Sequence, residues 1–536
     1  MDKGGNVFKY LFIVFLIALA SITLYVLSKN DTVEEALEDL DQTSTASNIQ
    51  KDLRFAIAEF DTINPIISNN RNVHELSKII FEPLVTLSPS YEIVYDLATG
   101  VTKEISEERG VVYTVSLRKD VNWSNGTPFT SEDVKYTIDQ IKSGEFRSIY
   151  QENLKSVISL NLIDDHTIEI FLSENDPFFE YKLTFPIMSS AYYGESSFTD
   201  EEKNLAPVST GKFKINELVN NQIKLTYNDY YYDKSKEPMV EEVIITKYGT
   251  MGEVYNAFKS GDIDFLNIKV NNAEDYIGTI GYSRIEYKSR NFDYMAINTQ
   301  NELLASPNVR KAISYLIDKN NMISVLGAGY VVSNFPLDYG SWLYTRDLNV
   351  ETNLDYASQL LIEDGWELKN NTWQKKVGYK TQRLDFTILV NNNDELRVRA
   401  AENIAEQCTN FGIKVNVQQA NADYYNNLLN QRRYDLAIVG IQSGFTPDLR
   451  TFFGDNNLAG FENEEAKNIV NNASDTTDKK ELAESYNRLF DIYLEEVPYI
   501  GLYRETDLIV STQSLVGTIM PNSYDLYQNI ELWYRQ

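Results

Sequence analysis

The residue types that most often carry chemistry are scarce in this 536-residue sequence. It contains one cysteine, Cys408, and two histidines, His74 and His166. A single cysteine excludes an internal disulfide, and so few thiols and imidazoles argue against a zinc site or a Ser-His-Asp triad. The sequence has no GxGxxG, P-loop, HExxH or GxSxG motif. We therefore expect no catalytic residue, no metal and no cofactor.

Acidic residues are abundant, with 78 Asp and Glu and a formal net charge of -29. Such a charge repels phosphates and argues against a nucleic-acid partner. A secreted hydrolase with paired carboxylates is an alternative function. No spacing singles out one such pair, so this alternative lacks a specific motif.

Polar residues follow two strands that the pattern predicts in the C-terminal half. LDFTILV (384–390) and DLAIVGI (435–441) are apolar strands, and a helix over about 394–411 follows the first. Alternating strands and helices with short connections are typical of a parallel sheet covered by helices. Ligands of such sheets bind outside the carboxyl ends of the strands. This places Asn391–Asn393 and Gln442–Thr446 at a candidate cleft.

Residues 10–28, YLFIVFLIALASITLYVLS, form an uncharged apolar run. Its length approaches the roughly 20 residues that a helix needs to cross a bilayer. Lysines precede the run and acidic residues follow it, so the positive-inside rule leaves the N-terminus in the cytoplasm and the rest outside. We predict an uncleaved anchor over residues 1–28. A cleaved signal peptide, with Ala18-Leu19-Ala20 as the cleavage site, is the alternative.

Residues 29–50 form an acidic stretch that ends in a polar run. A weak helical stripe is present, but a flexible tether is the simpler interpretation.

Six segments in order resemble the family-5 extracellular solute-binding proteins, the oligopeptide-, dipeptide- and nickel-binding components of ABC importers. The resemblance runs from about residue 53 to the end of the chain. Its segments are DTINPIISNN with IIFEPLVTLSP, VYTVSLRKDVNWSNGTPFTSEDVKYTID (112–139), STGKFKINE with YNDYYYD (209–233), FKSGDIDF (258–265), NTQ…NVRKAISYLIDK (298–319) and LDYASQLLIEDGW (354–366).

The resemblance implies an α/β fold of the two-lobe, three-domain periplasmic-binding-protein type. Hinge strands would lie near Asp293–Asn298 and Leu502–Glu505. The expected parts are lobe one (51–92, 206–295 and 506–536), an accessory domain of lobe one (93–205) and lobe two (296–505).

Most residues of these motifs are expected to be structural. Trp123 and Gly126 would build a turn, and Asp133 would cap a helix that Thr130 starts. Arg310 would form an ion pair within lobe two.

The resemblance also implies where a ligand would bind. Family members that hold extended peptides pair the ligand backbone with the chain just beyond the N-terminal proline turn, here Ser68, Asn69, Asn70 and Arg71. Arg71 could meet a carboxylate or remain a solvated surface residue. The further candidates lie in the hinge, after the buried strands and in the GIQSGFTPD stretch, and they are Asn298, Asn391, Gln442, Ser443, Gly444 and Phe445.

The GIQSGFTPD stretch departs from the family pattern. Peptide binders of this family carry a tryptophan and then an aspartate that pairs with the amino terminus of the ligand. Gly440 or Ile441 occupies the first position, and Ser443 or Gly444 occupies the second. A buried ammonium without a carboxylate costs several kcal/mol. The ligand would therefore lack a free amino terminus, or another acid would serve.

The expected function is capture of a peptide or peptide-like solute for the permease of an ABC importer, and not catalysis. The alternative is a surface-anchored sensor, receptor or scaffold without transport. The nickel-binding branch finds no support in a chain with two histidines.

Overall fold

A computed structural model describes residues 50–536 except 177, 195–197, 271–280, 338–339 and 474–478. The expected anchor (1–28) and all of the expected tether but Gln50 lie outside the described residues. None of the helices in the described ranges has the length and apolar character needed to cross a bilayer.

The described strands are short except for two long ones in the centre of the molecule. In chain order they are β1 (Asp52–Ala58), β2 (Val85–Leu87), β3 (Ile93–Tyr95), β4 (Ala98–Ser106), β5 (Gly110–Leu117), β6 (Val157–Asp164), β7 (Thr167–Leu172), β8 (Phe213–Val219), β9 (Gln222–Tyr227), β10 (Glu242–Tyr248), β11 (Phe265–Lys269), β12 (Tyr282–Ile297), β13 (Tyr330–Val332), β14 (Glu367–Lys369), β15 (Thr372–Val377), β16 (Lys380–Arg383), β17 (Asp385–Asn391), β18 (Lys414–Ala420), β19 (Leu436–Gln442), β20 (Tyr499–Thr512), β21 (Leu515–Val516) and β22 (Tyr534–Arg535).

The α-helices connect these strands and cover the sheets. They are α1 (Arg71–Ile80), α2 (Ser131–Lys142), α3 (Ser190–Tyr193), α4 (Glu201–Leu205), α5 (Met251–Ser260), α6 (Pro307–Leu316), α7 (Lys319–Leu326), α8 (Leu354–Glu363), α9 (Glu395–Asn410), α10 (Ala422–Asn430), α11 (Arg450–Phe453), α12 (Glu464–Asn472) and α13 (Lys479–Glu496).

The largest sheet has seven strands in the order β11-β20-β12-β19-β17-β18, with β13 added on β20. Strand β17 pairs in parallel with both β18 and β19, as the alternating pattern predicts. Strand β12 pairs antiparallel with β19 and β20. Buried apolar residues cover both faces of this sheet. Strand β19 is apolar nearly throughout, as is typical of a strand buried on both faces, whereas the long strands β12 and β20 also contain charged residues.

Two four-stranded sheets are the next in size, and three smaller sheets, β14-β15-β16, β2-β3 and β21-β22, complete the described strands. The orders of the two four-stranded sheets are β1-β10-β9-β8 and β4-β5-β7-β6. A single apolar core spans both sheets and the helices α1 and α2. The fold is thus mixed α/β, as expected.

The turn and cap of the 112–139 segment have the structural roles that were predicted. Gly126 has φ +85°, and the first turn of α2 follows Thr130. The Asp133 carboxylate accepts hydrogen bonds from Thr130 N (2.9 Å), from Trp123 Nε1 (3.1 Å) and from the backbone N and Oγ of Ser190 (both 2.7 Å). One buried carboxylate therefore joins the turn, α2 and α3.

Arg310 also has the predicted structural role. Its guanidinium forms an ion pair with Glu496 at 3.0 Å and is almost fully buried. It also donates to the backbone carbonyls of Leu304 and Ala305. Arg310 thus ties the start of α6 to the end of α13.

Candidate functional site

A cleft of about 1070 Å³ lies in the described part of the chain. One wall comes from α1 and the segments around residues 82–96, 231–236 and 523–531. The opposite wall comes from β12 and the loop after β19. A smaller adjoining cavity of about 250 Å³ extends beneath that loop.

The carboxyl-end argument placed Gln442–Thr446 and Asn391–Asn393 at a cleft; residues after β19 line both cavities, whereas Asn391–Asn393 line neither. Gln442, Gly444 and Phe445 line both of them, and Ser443 lines the smaller one. The amide N of Ser443 donates to the carbonyl of Arg290 at 2.8 Å, which fixes this loop to β12.

Phe445 is the large apolar side chain of this loop. Its ring stacks on Tyr91 with centroids 6.1 Å apart and meets Tyr524 edge-on at 5.0 Å. The Arg290 guanidinium lies 4.4 Å from the centroid of the same ring. Phe445 therefore lies at the junction of the two walls.

The absence of a tryptophan at Gly440 has a steric reason. A Cβ at Gly440 would lie 1.7 Å from Nη2 of Arg397. Arg397 donates through Nε to Asp293 on β12 and forms a second ion pair with Asp394. Any side chain at position 440 would require the Arg397 guanidinium to move away from its present position.

Ser68–Asn70 lie between a turn at residues 65–67 and the start of α1 at Arg71, and Asn70 has extended backbone angles. Their pairing with a ligand backbone stays a prediction. The N–H groups of Ser68, Asn69 and Asn70 donate to Asn64 O, Asp61 Oδ2 and Ser68 Oγ. They are therefore engaged within the chain. Asn70 is the N-cap of α1, and its side chain accepts from the N–H of Asn72.

Part of this stretch faces the cleft. Asn69 and Arg71 line it, whereas Ser68 is fully buried and Asn70 is not among the lining residues. Arg71 Nη2 lies 3.5 Å from the buried carboxylate of Asp507 on β20. Arg71 is therefore a paired, half-exposed cation at the cleft.

Asn298 and Asn391 have other positions. Asn298 Nδ2 donates to the carbonyls of Arg432 (3.2 Å) and Tyr434 (2.9 Å). Asn391 Oδ1 accepts from the N–H of Asn393 at 3.0 Å. Neither asparagine lines the two cavities, and both fix local turns.

Several cleft residues were missed by sequence reasoning. Arg290 and Arg504 lie on the two central strands, and Glu82 and Asp96 lie on the opposite wall. Strand β20 is buried along nearly its whole length although it contains Arg504, Glu505 and Asp507, so no apolar pattern in the sequence singled out Arg504. Nothing in the sequence indicated that Arg290 and Glu82 face a common cleft.

The Glu82 and Asp96 pair is strongly desolvated. Tyr232 donates to Asp96 Oδ1 at 2.6 Å, and Glu82 Oε2 has no hydrogen-bond partner among the described residues. Burial raises the pKa of Asp96 to about 6. Burial, and then the charge of Asp96, raise the pKa of Glu82. The cleft wall thus holds carboxyl groups that favour protonation.

A cleft at the carboxyl ends of parallel strands, between two walls joined by long central strands, is typical of solute-binding proteins that enclose their ligand. The family model "Bacterial extracellular solute-binding proteins, family 5 Middle" matches residues 92–460. The chain belongs to this family. Its folded part is therefore a solute-binding unit that lies outside the cytoplasm.

Individual relatives agree with this assignment. The chain is 24% identical over 501 residues to the oligopeptide-binding protein AppA of Bacillus subtilis (strain 168), covering 89% of this chain and 90% of that protein. It is also 24% identical over 514 residues to the oligopeptide-binding protein OppA of the same organism, covering 87% and 89%.

Solved structures show the same fold. The unliganded open form of the periplasmic murein tripeptide-binding protein MppA has a TM-score of 0.75 at 20% identity, covering 91% of this chain and 97% of that chain. A nickel ABC transporter structure from Bacillus halodurans has a TM-score of 0.74 at 19% identity, covering 90% and 100%.

Proposed function

We propose that this protein captures a peptide or peptide-like solute in the cleft and delivers it to the permease of an ABC importer. The observation that carries the proposal is the cleft of about 1070 Å³, which segments distant in sequence line from two sides. Two relatives at 24% identity over most of their length are named as oligopeptide-binding proteins, which supports a peptide as the ligand.

The lobes would follow the expected boundaries. Lobe one would comprise 51–92, 206–295 and 506–536 with the accessory domain 93–205, and lobe two would comprise 296–505. Both boundaries between lobe two and lobe one fall at or within the long strands β12 and β20. Their pairing shifts register between Lys288 and Phe292, which supports this region as the hinge.

Capture would then shift the population of the protein from an open to a closed arrangement of the two lobes. Ligand that contacts both walls favours the closed arrangement, and the permease would recognise that arrangement. Strands make a suitable hinge because small changes of twist over a few residues move the attached walls as units.

The N-terminal region would hold the protein at the cell membrane. The uncharged run at 10–28 would be a single-pass anchor, and the acidic stretch 29–50 would be the tether. The folded part would then lie close to the permease.

The first experiment is recovery of the full chain from its native host, followed by native mass spectrometry of the co-purifying small molecules. Release of peptides supports the proposal, and X-ray scattering should then show a more compact particle when the peptides are added back. Absence of binding to short-peptide pools would contradict peptide capture. If the protein binds peptides but deletion of its gene leaves peptide uptake unchanged, delivery to a permease is contradicted. That result would favour a surface receptor without transport.

A further inference from the structure

The smaller cavity beneath the loop after β19 combines two arginines with few carboxylates. Arg290 and Arg504 both line it. Arg504 is buried, and its guanidinium donates to Pro336 O and, at 3.3 Å, to Ser443 Oγ. Arg290 Nη1 lies 3.4 Å from Ser443 O. Ser443 therefore has a guanidinium on each side.

The acidic groups around Arg290 are engaged elsewhere. Asp448 also lines the cavity, and Arg450 binds it through Nε and Nη2 at 2.5–3.0 Å. Burial lowers the pKa of Arg290, and Glu75, the carboxylate whose charge opposes this shift, is paired with Lys78 at 3.2 Å.

Arg290 itself has no ion-pair partner within 4.0 Å among the residues that the structure describes. Its guanidinium lies over the Phe445 ring, a contact that holds the group in place and leaves N–H donors for a ligand. A half-buried guanidinium without an acid is a strong site for a planar anion, because it can donate two parallel hydrogen bonds to a carboxylate.

We propose that this cavity binds a carboxylate of the captured peptide, with Arg290 as the group that contacts it and Ser443 Oγ beside it. The inference rests on the proposed function and specifies the ligand: a peptide that presents a carboxylate, not an ammonium, at the loop after β19. A local positive cavity in a chain of net charge -29 concentrates an anion only at short range, so the selectivity must come from direct contact.

The test measures affinity of the full chain, purified with a mild detergent, for pools of short neutral peptides in four end-group forms. The forms are free at both ends, acetylated at the amino end, amidated at the carboxyl end, and blocked at both ends. A parallel amidated pool that contains Asp and Glu separates a side-chain carboxylate from the terminal one. Calorimetry gives the dissociation constants.

Amidation of the neutral pool should weaken binding by roughly tenfold to a hundredfold, because it removes a charge-assisted bidentate contact. Acetylation should change affinity by less than about threefold. Arg290→Gln should remove the preference for a free carboxylate, and Arg290→Lys should retain part of it. The matched control is Arg284→Gln on the same strand, an exposed arginine 4.0 Å from Glu286, which should keep the preference.

The possible outcomes separate the two proposals. If Asp and Glu in the amidated pool restore the affinity, the cavity binds an acidic side chain. If only a free carboxyl end restores the affinity, the cavity binds the carboxyl terminus of the peptide. If amidation leaves the affinity of the unsubstituted protein unchanged, the carboxylate site is overturned, whereas peptide capture stands. Failure of every pool to bind overturns the proposed function itself.

Discussion

The Phe445 ring lies 5.0 Å from the Tyr524 ring, with the two planes at 87°. The two residues belong to segments about 80 positions apart that form opposite sides of the cleft. An edge-on aromatic pair of this kind contributes about 0.5–1.5 kcal/mol beyond its buried area. This pair is therefore a contact through which the cleft walls meet.

Replacement of Phe445 by alanine should weaken closure and ligand binding. The side chain also contacts Tyr91 and Arg290, so three contacts disappear together. We expect affinity for a bound peptide pool to fall about tenfold and the scattering radius of the ligand complex to increase. The control is Tyr424→Ala, an exposed aromatic on α10. Unchanged affinity and radius in Phe445→Ala would contradict a role for this contact in closure.

Asp133→Ala should destabilise the part of the protein around α2. The substitution leaves donors on Trp123, Thr130 and Ser190 without their acceptor. We expect the free energy of unfolding of this region to fall by about 3–5 kcal/mol. Urea unfolding followed by tryptophan fluorescence measures the loss. Glu132→Ala, at the exposed neighbouring position, is the control, and an equal loss in both variants would show that the effect is not specific to the buried carboxylate.

Glycine at position 440 should be essential for the Arg397–Asp293 ion pair. Gly440→Ala places a methyl group where the guanidinium lies, so Arg397 must leave Asp293. A partly buried carboxylate then loses its partner, and we expect a loss of about 3 kcal/mol in stability. Arg397→Met should cause a loss of similar size by the same route. The double variant should lose little more than either single one, whereas additive losses would contradict the shared cause.

The Asp96 carboxyl should make stability fall as pH rises through the acidic range. Burial raises its pKa from 3.8 to about 6, so the folded state binds more protons than the unfolded state between these values. The stabilising contribution is complete below about pH 4 and is lost as pH rises through about 6. Asp96→Asn keeps the contact with Tyr232 and should reduce this slope. Urea midpoints measured from pH 4 to pH 7 provide the check, and an unchanged slope would exclude Asp96 as its source.

Lys319 should have the opposite effect at higher pH. It is buried, its Nζ donates to Asn334 Oδ1, and burial lowers its pKa to about 7. Between about pH 7 and 10.5 the folded state binds fewer protons than the unfolded state, so this group makes stability rise with pH across that window. Lys319→Met should flatten the rise and increase stability at pH 7. A loss of stability at pH 7 without any change in slope would contradict this origin.

The sequence determined the local elements and the family because these depend on short-range patterns. The alternation of apolar strands with capped helices predicted β17, α9, β18 and β19, and the six ordered segments indicated the family. The turn at Trp123 and the cap at Asp133 followed from the same kind of local signal, since Trp123 and Thr130 lie within ten residues of Asp133. The bonds from Ser190 to the same carboxylate depend on the tertiary structure.

The tertiary structure decided the content of the cleft. Ser68–Arg71 was predicted to pair with a ligand backbone, but the N–H groups of Ser68, Asn69 and Asn70 donate hydrogen bonds within the chain. Arg290 and Ser443 are separated by about 150 residues and meet only because β12 pairs with β19. Pairing over such distances depends on how whole sheets pack, and no residue spacing encodes it. The sequence thus predicted which loop lines the cleft, and the packing of two central strands determined which charged side chains lie beside that loop.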